Sequence, residues 1–221
     1  MKELIKKIPW LYRTLLWAYL STYRWYIRAL VLSVPVRKLG ARFLEVFMHR
    51  NLRVNIGAGN LWLRPGWKTL DFPSEHYGDY RHVDIIHDLA SGLPFPFDGG
   101  SVSIFYSSHC IEHLPDSASR HFFDEVYRCL KDGGIFRITM PNFDLDIVNK
   151  DFEVTGGGGA GEHNSRWTYT KIFDLMKKAG FQDAYKSKAH QSRFREMRSK
   201  GRIKGFDSSY PEISLYVEAE K

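Results

Sequence analysis

Cysteine is scarce in this chain: Cys110 and Cys129 are the only two in 221 residues. Two thiols cannot build a disulfide framework, so packed apolar side chains must hold the fold, and a reducing compartment is the simpler setting. Any charge-free run of about 20 apolar residues, the length needed to cross a bilayer, is also missing. The nearest approach, Trp10 to Leu32, is interrupted by Arg13, Arg24 and Arg28. Those arginines exclude a good transmembrane span. Because no small-residue cleavage site follows, they also argue against a signal peptide.

What is present suits one domain with an extension. Hydrophobic residues make up 43% of the chain and charged residues 26%, ordinary values for a globular protein with a sizeable core. The net charge of +7 is uneven: residues 1–50 hold ten Lys and Arg against Glu3 and Glu45, leaving a net −1 for residues 51–221. The positive charge therefore belongs to the N-terminal extension. Within it, Arg13, Thr14, Ser21, Arg24 and Arg28 fall inside a helical arc of about 100°, and the remaining surface is aromatic and aliphatic. Residues 9–34 thus read as an amphipathic helix. It either packs on a protein surface, such as the domain or a dimer contact, or lies in a membrane interface with Trp, Tyr and Arg at headgroup level. Pro35 ends it, and Val36 to Arg50 form a second helix with Val36, Leu39, Phe43, Val46 and Phe47 on one face.

The stretch Val54 to Asn60, VNIGAGN, organises the rest. A short β-branched strand runs into Gly57-Ala58-Gly59, a tight turn where no side chain keeps a ligand from the main chain. In open α/β sheets this turn, at the carboxyl end of the first strand, is where a nucleotide-like ligand sits. Lys68 to Phe72 is a second strand. Asp71 at its tip is placed to take hydrogen bonds from vicinal ribose hydroxyls, although the crossover from Gly59 is short. His82 to Asp88 is a third strand, with Asp88 placed to accept from the exocyclic amine of an adenine. Val102 to Ser107 is a fourth, running into SSHCIEHLP. Asp116 to Leu130 is a helix capped and turned by Lys131-Asp132-Gly133-Gly134. Ile135 to Met140 is a fifth strand, ended by Pro141. Gly156 to Gly161 reads as a flexible linker. Ser165 to Gly180 is helical, Ala184 to Lys188 a sixth strand, and Ile213 to Ala219 a final strand antiparallel to its neighbour. The basic residues between Arg193 and Lys204 read as a solvated loop. This order predicts an α/β fold with a Rossmann-like, mostly parallel sheet at 51–221, preceded by a helical extension at 1–50.

Taken together, VNIGAGN, PGWKTLD, HDLASGLPFPFDGGSVSIFYSSHCIEHLP, EVYRCLKDGGIFRITMPNFD, the helix ending KKAGF and the closing SLYVEAEK resemble a class I S-adenosylmethionine-dependent methyltransferase of the methyltransferase type 11 kind. The resemblance covers roughly residues 51 to 220. It implies S-adenosyl-L-methionine as cofactor. Gly57, Ala58 and Gly59 would pass under its methionine portion, flanked by Asn55 and Asn60. Asp71 and Phe72 would meet the ribose, and Asp88 and Leu89 would border the adenine. Ser107 and Ser108 would face the sulfonium. The chain departs from the family in its short first crossover and in a glycine-rich, shortened stretch between Pro141 and His163. If the methyl acceptor is a hydroxyl, a general base helps, and His109, His163 and His113 are the candidates.

Rival readings have less support. His109-Cys110-Ile111-Glu112-His113 spells the inverted zinc-hydrolase motif HxxEH, which on a helix would put both histidines on one face. Pro115 follows too soon for such a helix and no third ligand is visible in the sequence, so no metal is expected. A nicotinamide dehydrogenase would share the glycine turn, but the third glycine and a Tyr-x-x-x-Lys pair are missing. A nucleic-acid substrate ranks low, because no aromatic platform accompanies the basic segment. The expectation is methyl transfer to an oxygen or nitrogen of a small metabolite or cell-envelope glycan or lipid precursor, in the cytoplasm, with a peripheral place on the inner face of the membrane if the N-terminal helix meets lipid. The alternative is a catalytically silent protein of the same fold, held at a membrane or partner through that helix.

Overall fold

The computed structural model describes residues 51–59, 66–72, 83–155, 158–159, 161–192 and 211–221. The helices expected in residues 1–50, Asn60 and the basic stretch 193–204 lie outside the described residues, and every described residue belongs to the unit Phe47–Lys221. Among the described residues no helix is long and apolar enough to cross a membrane.

Seven strands form one sheet. They are β1 (Leu52–Ile56), β2 (Lys68–Asp71), β3 (Ile85–Ile86), β4 (Val102–Ser108), β5 (Leu130–Pro141), β8 (Asp183–Lys186) and β9 (Ser214–Glu220), while β6 (Gly158–Gly159) and β7 (Gly161–Glu162) pair only with each other. The spatial order is β3-β2-β1-β4-β5-β9-β8. Strands β3 to β5 run parallel, and β9 alone is reversed, antiparallel to both β5 and β8. The helices are α1 (Asp116–Cys129), α2 (Asp146–Thr155) and α3 (Tyr169–Ala179), with a 3-10 turn at Ile111–His113.

Burial on both faces explains the composition of the central strands. On one face Val54, Ile56, Leu70, Phe105, Phe136 and Val217 pack with Phe122, Phe123 and Val126 of α1 and Ile172 and Met176 of α3 in a single core. The side chains between them point the other way. There Asn55, Tyr106, Arg137, Glu218 and Tyr185 form a row in register across five strands. Arg137 and Glu218 are 1% and 0% exposed and pair at 2.6 Å. Tyr185 donates its hydroxyl to the other Glu218 oxygen at 2.8 Å.

Several local expectations need correcting. The third strand is only Ile85–Ile86. The segment before it is committed elsewhere, since Asp84 Oδ2 accepts from the Thr69 backbone N–H at 2.9 Å. Helix α1 ends without a glycine cap: Leu130 follows it in an extended conformation, and β5 starts there instead of at Ile135. Gly133, at φ +72°, lies within β5 near a register shift against β4. Helix α3 begins at Tyr169, later than Ser165, because the Thr168 side chain accepts from Lys171 N–H and caps it. Gly158–Gly159 and Gly161–Glu162 form a small antiparallel hairpin within the stretch expected to be a linker. Helix α2 was not foreseen.

Candidate active site

The chain's connections step from β1 outward to β2 and β3, then return to β4 on the other side of β1. In open α/β sheets the ligand position lies where the order reverses, here outside the carboxyl ends of β1 and β4. The glycine turn sits there. Gly57 has φ +69° and Gly59 φ +62°, the left-handed region that favours glycine. Gly57 is required for a second reason that the sequence did not show. A Cβ at this position would lie 2.2 Å from Cys110 Sγ, so Cys110 fills the space that glycine leaves. Burial, together with the charges of Asp71 and Glu112, pushes the Cys110 thiol up and keeps it protonated.

Asp71 reaches the turn from the tip of β2. Its Oδ2 accepts the Gly59 backbone N–H at 2.6 Å, and its Oδ1 accepts the Phe72 N–H at 2.7 Å. Burial raises the Asp71 carboxyl above its ordinary range, and the two backbone donors pull against that. A carboxylate has roughly four acceptor positions, so both oxygens keep capacity for a ligand's hydroxyls. Phe72 beside it is 50% exposed. Asn55, 2% exposed, keeps its side-chain Oδ1 without a hydrogen-bond partner among the described residues. Asp88 Oδ1 accepts the Ala90 N–H at 2.8 Å, which shapes the loop after β3, while Leu89 is drawn into the apolar core. A bare-backbone turn, a carboxylate with spare acceptor positions and an orphaned buried amide oxygen fit a polar adenosyl ligand.

The end of β4 supplies the other side. Ser107 is buried and Ser108 half-buried. His109 turns the chain with φ +48° and donates its backbone N–H to Thr139 O at 2.9 Å. The imidazole is held at both nitrogens: Nδ1 lies 3.1 Å from Glu112 Oε1, and Nε2 lies 3.0 Å from Ser214 Oγ. Glu112 and Ser214 were not foreseen as site residues, and Ser214 carried no sequence signal, being 105 residues away. HxxEH does not form an α-helix here; only Ile111–His113 coils, as a 3-10 turn.

The segment 163–165 folds over that turn. The Asn164 and Ser165 backbone N–H groups both donate to Glu112 O, at 2.8 and 3.0 Å, and Asn164 Nδ2 donates to His113 O at 2.8 Å. His163 thereby meets His113, with ring centroids 5.1 Å apart. One ligand atom each from Glu112, His113 and His163 lie within 4.8 Å of one another.

Residues 68–138 match the family model described as a methyltransferase domain. Over 103 residues, 47% of this chain, the sequence is 30% identical to a probable S-adenosylmethionine-dependent methyltransferase of Mycolicibacterium smegmatis, of which the match spans 37%. Two solved structures share the fold. A methyltransferase of Archaeoglobus fulgidus is 13% identical with TM-score 0.53, covering 89% of this chain and 99% of its own. One of Thermotoga maritima is 19% identical with TM-score 0.53, covering 84% and 97%. Residues 68–138 thus carry the methyltransferase-domain match, and the described sheet, with its reversed strand β9 and a glycine turn answered by Asp71, has the fold of the class I S-adenosylmethionine-dependent methyltransferases.

Proposed function

We propose that this protein transfers a methyl group from S-adenosylmethionine to an oxygen or nitrogen of a small metabolite or a cell-envelope glycan or lipid precursor. The observation that carries the reading is the meeting of Asp71 Oδ2 with Gly59 N–H at 2.6 Å. It brings an acidic strand tip and an open main-chain turn to one place at the sheet's switch point. Gly57 to Gly59 would receive the methionine portion, Asp71 and Phe72 the ribose, and Asp88 the adenine edge. When bound, the cofactor supplies a methyl group on a positively charged sulfur, which needs no further activation.

What remains for the protein is alignment and proton handling. Glu112 Oε1 stands 3.1 Å from Nδ1 of His109 and Ser214 Oγ stands 3.0 Å from Nε2, and as the neutral tautomer protonated at Nδ1 the ring would present Nε2 to take a proton from a hydroxyl acceptor. His109 is 27% exposed at its side chain and so open to an acceptor. An envelope acceptor rests on the amphipathic pattern of residues 9–34.

Calorimetry tests the cofactor. S-adenosylmethionine and its demethylated product should bind and NAD should not. Asp71→Ala should weaken binding by about 10- to 100-fold, the worth of charged hydrogen bonds. Release of the demethylated product from labelled cofactor, with candidate acceptors or cell extract, tests turnover. Failure of both cofactor forms to bind would overturn the reading, and binding without turnover on any acceptor would favour the silent alternative.

A further inference from the structure

The buried carboxylate of Glu112 poses a problem that the proposed chemistry does not solve. Its side chain is 0% exposed, and neither carboxylate oxygen makes a hydrogen bond among the described residues. Oε1 has the His109 ring at 3.1 Å, an ion-pair distance without hydrogen-bond alignment. A carboxylate taken out of water is costly unless a charge or several donors answer it. Two more imidazoles stand at the same place. Glu112, His113 and His163 each offer one ligand atom, all within 4.8 Å of one another.

We propose that Glu112, His113 and His163 bind a divalent transition-metal ion of the zinc class. Two imidazoles and a carboxylate are borderline ligands that suit zinc, cobalt, nickel or iron, not the all-oxygen sites of calcium and magnesium. In a tetrahedral zinc site with bonds of about 2.1 Å, ligand atoms stand roughly 3.4 Å apart. The observed spread closes to that by side-chain rotation of about an ångström. His113 and His163 are both half-buried.

The backbone is already set for this. The Asn164 and Ser165 N–H groups on Glu112 O, and the Asn164 amide on His113 O, fasten segments some fifty residues apart. The third ligand that the HxxEH stretch lacked as a sequence is thus brought by the chain's return. His109 takes a supporting part: its contact with Oε1 orients the carboxylate and leaves Oε2 for the ion. Three protein ligands leave one coordination position for water or a small-molecule oxygen.

The test uses the full chain with any affinity tag removed, stripped with chelator and titrated with Zn2+ and Co2+. Stoichiometry is read by elemental analysis and geometry by cobalt visible absorption. One ion per chain is expected. His113→Ala, His163→Ala and Glu112→Gln should each weaken binding by about 100-fold or more, and His109→Ala by about 10-fold. His121→Ala, at a histidine bonded to Leu93 O, should leave it unchanged. Circular dichroism confirms folding of each variant. If Glu112→Gln does not fold, the two histidine variants decide. No bound ion at micromolar metal, or binding unaltered by His163→Ala, overturns the proposal. The readout needs no methyl acceptor, so its failure is separate from failure of the methyl-transfer reading.

Discussion

At Gly57 two constraints coincide, a left-handed backbone and a neighbouring side chain that occupies the missing Cβ position. Gly57→Ala should therefore cost more than backbone strain alone, about 2 kcal/mol or more by chemical denaturation. Adding Cys110→Gly should recover part of that loss and leave roughly 1 kcal/mol of strain. Equal losses in the single and double variants would show that Cys110 does not set the limit. Asp71 makes a different prediction. Its carboxyl is raised above the ordinary 3.8, so the folded protein holds this proton more tightly than the unfolded chain does. Its contribution favours the fold in acid and is lost as pH rises through the folded value. Unfolding free energies of the wild type and Asp71→Ala should shift in the variant's favour from acid toward neutral pH, and the opposite slope would refute the assignment. The position thus gives up stability at working pH to keep a charged acceptor beside the turn.

Among the described residues, the ion pair buried deepest joins β5 and β9. Arg137 also donates to Ser187 Oγ, Gln191 O and Lys188 O, so its guanidinium links β9 and the turn after β8 to the sheet. Glu218→Gln removes the charge that answers it and should cost about 3 kcal/mol. For a chain of this size that is roughly 6–12 °C in Tm by calorimetry. Elements like these were partly legible. β1, β2, β4 and β9 stood out as runs rich in β-branched and aromatic residues, with β1 running into Gly57 and β2 ending at Asp71. The start of β5 was not, because Lys131-Asp132-Gly133-Gly134 has the composition of a turn while the backbone carries it as an irregular strand. Helix α2, DIVNKDFEVT, has two valines, an isoleucine and a phenylalanine interspersed with charged and polar residues. At the site, the glycine turn and Asp71 were legible because their chemistry is local. The approach of His163 to His113 and of Ser214 to His109 was not, because it depends on backbone hydrogen bonds between distant segments.

For the whole molecule, the strand order fixes where a ligand couples to stability. The switch point lies among the ends of β1, β2 and β4, so an adenosyl ligand bound there should stabilise the sheet as a unit. At about 100 times Kd the gain is about 2.7 kcal/mol, several degrees in Tm with S-adenosylhomocysteine. Asp71→Ala should lose most of that shift at the same concentration, and an equal shift in both proteins would place the ligand elsewhere.

The reversed strand has a consequence for biosynthesis. Because β9 lies between β5 and β8, a growing polypeptide that has emerged as far as Lys186 holds β8 with no neighbour to join. The flank of β5, with Phe136, Ile138 and Met140, stays open until Ser214–Glu220 follows. At ~5–20 residues per second that interval lasts seconds, long enough for a chaperone, or another nascent chain, to reach the bare edge first.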